Sequence, residues 1–476
     1  MMWLPMSSHD ERKHHFMITQ RYGDLEIGYT KMEVKQNGIG RPELTGDWHF
    51  LGDVTVHDVP ASGGGLLVRD RSVGRDLLRP PVSFQKVGEF KGSFKYKILG
   101  NAAWTVYFRH FVWRPIPPAG YVALGDVTTS AANLYDGDLE PGNPSVSMGV
   151  ACVKKEHAGR AYVRRAELGL SPTIRIGGGK AWWPITPPLY PFDDTEEHMF
   201  LPAGTFSCGP DVQHSPTDVT WVLDLPAVVE KTDYAPELTL ESYNPPPAQA
   251  IVTDRAVTVP YVMVNDSNRT EEWKVDNSPF YKILRKRQYD LLRHVDFRGG
   301  GGGEIEEAIT VGVTKERSDE FAVTTGITVG VSTGVEVSAK PLGMGASASV
   351  ETSVSASLEL GYARRYGVSE FDDHTLTVTY EVPADHAGAL WTDTHQLVPV
   401  RGDGTLVTNE NLKLNAGSSS SYVGRLYPSD AADKGVGVFR HVPANQLERF
   451  RAGAKELGLD LNQLPTVEEL DEAARK

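Results

Sequence analysis

Cysteine is nearly absent from this sequence: Cys152 and Cys208 are the only two in 476 residues. Neither a disulfide scaffold nor a cysteine metal cluster can be built from them, and one bridge between the two is the single pairing left open. Basic charge is also short, with 48 Lys and Arg against 62 Asp and Glu and a formal charge of -14. Affinity for a phosphate backbone comes from clustered Lys and Arg, and no such cluster stands out, so nucleic acid is not an expected partner. No uncharged apolar run reaches the roughly 18 residues of a membrane helix, which leaves strands as the way into a bilayer. Residues 1–16 carry a short apolar patch, 2–6, and then Ser7-Ser8-His9-Asp10, with no basic n-region and no long h-region. No signal peptide is expected, and the chain reads as water-soluble.

Catalytic signatures are equally thin. Gly330-Val331-Ser332-Thr333-Gly334 has the G-x-S-x-G spacing but sits in an alternating stretch with no helix pattern after it, so the nucleophile elbow is missing. Asp136, Asp138 and Glu140, and Asp193, Asp194, Glu196 and Glu197, do not follow the twelve-residue calcium loop and read as solvated acidic loops. Histidines such as His14 and His15 lack zinc-ligand spacing. Arg401-Gly402-Asp403 reads as a turn. The expectation is a protein that is not an enzyme and holds no metal or cofactor.

What is abundant is glycine, proline and alternation. Gly 47 and Pro 31 punctuate a chain that is 40% hydrophobic with 9 Trp, 18 Tyr and 16 Phe, the composition of many short strands joined by turns. An aliphatic-Gly-acidic-apolar step recurs as Leu51-Gly52-Asp53-Val54, Val87-Gly88-Glu89-Phe90 and Leu124-Gly125-Asp126-Val127, its glycines 36 and 37 residues apart. Pro-rich steps recur at Arg79-Pro80-Pro81, at Trp113-Arg114-Pro115-Ile116-Pro117-Pro118 and at Trp182-Trp183-Pro184-Ile185-Thr186-Pro187-Pro188. Prolines cannot sit in central strands, so these mark strand starts and corners. The repeat predicts a β-prism-like module or a repeated sandwich over about residues 40–225.

The stretch Trp113-Arg114-Pro115-Ile116-Pro117-Pro118-Ala119-Gly120-Tyr121-Val122-Ala123-Leu124-Gly125-Asp126 resembles a signature of the vacuolar protein sorting-associated protein sixty-two family. The likeness covers about a third of the chain. It implies a binding module without catalytic residues, and Trp113, Arg114, Tyr121, Asp126, Trp182 and Trp183 are its candidate binding residues.

Four segments follow from composition. Residues 1–225 form the repeat module, expected to bind the target; 226–250, centred on Pro245-Pro246-Pro247, read as a linker; 251–440 form an elongated β domain; and 441–476 read as a helical tail, with Leu447, Phe450, Ala454 and Leu457 at helical spacing. The run Arg298-Gly299-Gly300-Gly301-Gly302-Gly303-Glu304 reads as a flexible joint or a surface loop.

Within the third segment, residues 321–362 alternate with period two. The apolar register runs on odd numbers up to Ala339, and after Pro341 it resumes on even numbers from Leu342 to Tyr362. Between them stand Ser, Thr, Gly and a few charges. Soluble strands usually run 3 to 10 residues, whereas a barrel strand crossing a bilayer needs about 9 to 11 tilted residues with one face to lipid and the other to water. The lipid-facing set would be Val329, Val331, Val335, Val337, Leu342, Met344, Ala346, Ala348, Val350 and Val354, and the lumen-facing set Glu336, Lys340, Glu351 and Glu359. One hairpin leaves open edges that lipid cannot satisfy, so several subunits must close the barrel.

This pattern resembles the aerolysin-type β-pore-forming toxins, in which a Ser/Thr-rich insertion hairpin is flanked by long strands. The flanks here are 304–315, with Ile305, Ile309, Val311 and Val313, and 374–382, with Leu376, Val378, Tyr380 and Val382. The resemblance spans about residues 251–428. It implies a mainly β toxin, released from its producing cell and insecticidal in the setting where both modules occur. Such a toxin binds a glycan or protein receptor on a target-cell membrane, forms a homo-oligomer and inserts one hairpin per subunit. The alternative is a non-lytic, lectin-like or sorting-type binding protein whose second domain is merely elongated.

Overall fold

The computed structural model describes residues 17–35, 39–55, 64–97, 103–133, 139–168, 172, 174–176, 179–186, 198–211, 220–232, 237–328, 354–355, 364–365, 368–369, 373–409, 411–415, 422–429 and 436–440. Among these the chain is mainly β, with 33 strands and two α-helices. The expected tail helix, the acidic residues Asp136, Asp138, Asp193, Asp194, Glu196 and Glu197, and most of the alternating segment lie outside the described residues.

In the first unit the glycine steps meet. A Cβ on Gly52 would stand 2.9 Å from the Gly125 Cα and 2.9 Å from the Thr205 Cγ2, and one on Gly125 would stand 2.4 Å from the Thr205 Cβ. Three chain segments therefore approach so closely that only glycine fits at two of the positions. Backbone bonds tie them in sequence: Asp53 N–H donates to the Asp126 carbonyl and Asp126 N–H to the Phe206 carbonyl, each at 2.9 Å. Gly88 is not part of this junction. It sits on the strand Ser83–Lys97 beside a register shift between Lys86 and Gly88. The period is thus corrected: Gly52 and Gly125 are 73 residues apart, two of the apparent 36-residue steps.

The second unit is built on an antiparallel sheet in the order Val228–Lys231, Val252–Pro260, Phe280–Asp296, Ala387–Val400, Leu412–Asn415, with Tyr422–Tyr427 also paired to Ala387–Val400. Every residue of Ala387–Val400 is buried, so this strand is covered on both faces. Part of the cover comes from the stretch read as a linker. Leu238 and Leu240 are buried with Tyr289 and Trp391, and Val228–Lys231 is an edge strand of the sheet.

The two units share one apolar core, in which Tyr22, Leu25 and Tyr29 are buried with Val257, Tyr261, Phe280 and Tyr281. The Tyr29 and Tyr261 rings meet edge to face at 4.9 Å, and the Tyr22 hydroxyl donates to the Thr258 carbonyl at 3.3 Å.

Two loop expectations are sharpened. The glycine run is a defined turn, with Gly299 and Gly302 at φ 73° and 76° and the Gly299 N–H donating to Asp385 Oδ1 at 2.8 Å. Arg401 of the Arg-Gly-Asp step is turned inward, bidentate to Asp266 at 2.6 and 2.9 Å, while Asp403 accepts from Thr405. The turn reading holds, and this arginine has no free face to offer a partner.

Candidate functional site

The alternating segment springs from two strands of a separate three-stranded sheet, Gly303–Val311, His374–Val382 and Val436–Arg440. The two flanks read from the sequence pair with each other. Gly303 stands opposite Val382, Ile309 opposite Leu376 and Val311 opposite His374, antiparallel and without a slip. Ile305, Ile309 and Val311 from one strand and Leu376, Val378, Tyr380 and Val382 from the other are buried on one face, against Leu390, Tyr422 and Leu426. Glu304, Glu306, Thr310, Thr375 and Glu381 are exposed, as period two requires of a sheet wet on one side.

The first flank is shorter than expected. It stops at Val311, because Gly312 turns the chain at φ 76°, Val313 is buried and Thr314 caps a helix. Helix α2, Lys315–Thr325, which follows the short helix α1, Glu271–Asn277, has the Thr314 side chain accepting from the Arg317 N–H and ends at Gly326 with φ 74°, the left-handed residue that closes many helices. The first five residues read as strand, 321–325, therefore belong to a helix. Its signals were present: a Thr cap, Glu316 in the first turn and a glycine stop. The Phe-Ala-Val-Thr-Thr end of α2 satisfies both periodicities over so short a window, and packing decides between them.

Packing holds this root to the body. Phe321 and Ile327 are buried in the common core with Met263, Val264 and Val313, and Ala322 is buried beside them. The Asn265 N–H donates to the Thr325 carbonyl at 2.7 Å and the Asn265 side-chain amide to the Val323 carbonyl at 3.1 Å. Thr325 turns its hydroxyl back to the Phe321 carbonyl at 2.6 Å. Just beyond, Ile327–Thr328 pairs with Val354–Ser355 in parallel, Ile327 opposite Val354. An antiparallel hairpin would not pair these residues, so the resting chain is not in the simple hairpin expected for 321–362 at this point. The lipid-facing positions other than Val354, and all of Glu336, Lys340, Glu351 and Glu359, lie outside the described residues.

Of the candidate binding residues of the first unit, Tyr121, Asp126, Trp182 and Trp183 are buried and Trp113 and Arg114 are half-buried. Arg114 is bidentate to Asp126 at 3.0 and 3.0 Å and also donates to the Cys208 carbonyl at 2.9 Å; Asp126 accepts the Cys208 N–H at 2.7 Å. Burial pushes the Asp126 carboxyl above its ordinary value, against the pull of the guanidinium. Trp182 is fully buried against Phe206 with ring centroids 4.9 Å apart, Trp183 donates to the Pro210 carbonyl at 2.7 Å, Trp113 donates to Thr129 Oγ1 at 2.9 Å, and the Tyr121 hydroxyl bonds the Asp76 carbonyl. These six residues frame the module. A matching clamp escaped the sequence reading: Arg41 is bidentate to Asp53 at 2.7 and 2.8 Å, and Thr128 N–H donates to Asp53 at 2.7 Å. The signal was the shared twelve-residue spacing of Arg41 to Asp53 and Arg114 to Asp126. Cys152 and Cys208 are buried and free, so the open bridge is not formed, and burial pushes both thiols up to about 12.

Among the described residues no helix is long and apolar enough to cross a membrane, which says nothing of strands. Residues 252–419 match the family described as insecticidal crystal toxin, P42. That stretch takes in four of the six strands of the long sheet, both flanks and α2. No curated protein matches the chain. Among solved structures, GNIP1Aa from Chromobacterium piscinae is similar at 17% identity and a TM-score of 0.25, over 42% of this chain and 32% of that one, so the match takes in about a third of its length. Cry35Ab1 is similar at 11% identity and a TM-score of 0.27, over 73% of this chain and 90% of that one.

Proposed function

We propose that this chain is a pore-forming toxin, acting on target-cell membranes through a β-barrel to which each subunit contributes the segment between its paired flanks. The observation that carries the reading is the register of those flanks. Continued one residue inward on both strands at each step from Val311 and His374, it closes between Leu342 and Gly343, inside the Lys340-Pro341-Leu342-Gly343-Met344-Gly345 turn signal. It also sets Val331 opposite Val354, Val335 opposite Val350 and Val337 opposite Ala348, with Thr333 opposite Thr352 between them. The buried face of the flanks uses odd numbers on the first strand and even numbers on the second, the same parity as the apolar register of the segment. The register of the flanks and the turn signal in the sequence both support one long hairpin.

In that hairpin Glu336, Lys340, Glu351 and Glu359 face the lumen. A single hairpin leaves unpaired edges, so the barrel is a homo-oligomer. The family match over 252–419 supports a toxin, and its description an insect target. The first unit supplies surface recognition, of a glycan or protein receptor, and no step of the reading requires an enzyme, metal or cofactor.

Release must undo the root at α2. A Cβ placed at Gly326 would lie 3.5 Å from the Asn265 Cβ, within the separation a disulfide spans. The Asn265→Cys/Gly326→Cys variant should leak dye from susceptible vesicles when reduced and stop when oxidised, with surface binding intact in both states. Because both states share the same strained residue at 326, strain cancels in the comparison. Leakage that persists after oxidation would place the inserting element elsewhere, and no leakage by the unmodified chain would favour the non-lytic binding protein.

A further inference from the structure

The first unit carries a ribbon that the insertion reading does not use. Ser83–Lys97 and Ala103–Ile116 pair along their whole lengths, and Val127–Asn133 joins as a third strand, described as far as Asn133 opposite Tyr107. Beyond that point, at 94–97 and 103–106, the described ribbon has two strands. A two-stranded ribbon is marginal in water by itself.

Its two faces differ in kind. Phe90 opposite His110, Gly92 opposite Phe108, Phe94 opposite Val106 and Tyr96 opposite Trp104 fall at alternate register positions; Lys91 opposite Arg109, Ser93 opposite Tyr107, Lys95 opposite Thr105 and Lys97 opposite Ala103 fall between them. The first set is almost wholly aromatic or apolar, and the second is cationic. At the base the first set meets the module, where the Phe90 and Trp182 ring centroids are 6.2 Å apart and Phe108 covers Gly92.

The charge is local and of one sign. From 85 to 109 the chain holds Lys86, Lys91, Lys95, Lys97 and Arg109 against Glu89 alone, in a protein whose formal charge is -14. Glu89 is shared by Arg109 at 2.8 Å, Lys86 at 3.1 Å and Lys91 at 3.6 Å, and Arg109 also reaches Glu140. Hydrogen bonding from Arg109 and the neighbouring lysines hold the Glu89 carboxyl down at about 2. The sequence hides this patch, because in a strand the lysines stand at every second residue and make no run.

We propose that this ribbon is a lipid contact, laying its aromatic positions into the interfacial zone of an anionic bilayer while its lysines meet the headgroups. Charge complementarity selects the anionic surface, and aromatics interleaved with snorkelling lysines are the composition of interfacial elements. A polyanionic glycan would use the lysines but has no need of the aromatic positions. The contact extends the membrane-acting reading and does not depend on insertion.

The test is partition of the full chain onto phosphatidylcholine vesicles with and without phosphatidylserine, read by co-sedimentation, with dye retention recorded separately. A lysine near an anionic surface contributes about 1 kcal/mol, so Lys91→Gln/Lys95→Gln/Lys97→Gln should lose about a hundredfold on the anionic vesicles. The matching triple Lys→Arg variant should bind as the parent does, and Tyr96→Ser/Trp104→Ser should bind weakly to anionic vesicles despite its charge. Thermal unfolding identifies any variant that fails to fold, and the Lys→Arg variant keeps the comparison open if the Gln variant does. Equal partition of the Gln and parent chains, or capture by heparin beads without vesicle binding, would overturn the proposal. Binding without dye release would leave it standing, and the pore reading with it, since these vesicles carry no receptor.

Discussion

The three-way junction of the first unit and the root of the alternating segment in the second are held in opposite ways. At Gly52, Gly125 and Thr205 the backbones touch, and two buried Arg–Asp clamps with backbone donors lock the strands around them. At the root, one short helix is held by Phe321, Ile327 and two bonds from Asn265, between left-handed glycines at 312 and 326. The first arrangement has no second state to go to, since relieving any contact leaves a buried charge or a void. The proposed release asks the second to swing out as a piece, and its glycines at 312 and 326 already hold backbone angles that other residues resist. On the proposed reading the motif-rich region is the scaffold, and the motif-poor, repetitive one is the part to be released.

The largest test of that contrast is Arg114→Ala. Leaving Asp126 buried without its partner should destabilise the first unit by about 3–5 kcal/mol, read as a lower thermal transition. An unchanged transition would mean that the clamp is not what holds the junction. Phe321→Ala comes next, at about 3 kcal/mol for a buried ring. Here the loss should centre on the root: faster proteolysis within 312–328 and a lower threshold for dye release, with the first unit's transition moved less than by Arg114→Ala. If both regions weaken together, they are one cooperative body and the contrast fails. The smallest effect belongs to Glu89→Gln, on the partly exposed ribbon. The carboxyl is held down at about 2, below its unfolded value, so whatever stability it adds is present above the unfolded pKa and fades as pH falls toward 2. Parent and variant should therefore differ slightly at neutral pH and converge in acid; divergence in acid would reverse the sign.

The flanks were legible because period two is a local property: a sheet wet on one side writes its faces into every second residue, and Ile305 to Val311 and Leu376 to Val382 do so plainly. The junction was half legible. Glycine followed by aspartate marked two of its three arms, but Gly88 obeys the same four-letter pattern for the sake of a bulge, and nothing local separates the two uses. Thr205 carries no such mark at all. Arg41 and Asp53 needed a comparison of spacings, and α2 needed its caps to be weighed against an alternation that packing overrules. The inward turn of Tyr121, Trp182 and Trp183 was beyond sequence, since an aromatic by a proline corner suits a core and a binding face equally well.

The parallel pair of Ile327–Thr328 with Val354–Ser355 sets a clock. In the register continued from the flanks Ile327 would stand opposite Leu358, so the two arrangements cannot coexist even for one residue. If the proposed hairpin grows inward from Val311 and His374, it cannot do so as a smooth zip, because a ladder of the wrong polarity must break before new bonds replace it. The lifetime of the resting form is then governed by the rate of that first rupture, whatever the depth of the final state.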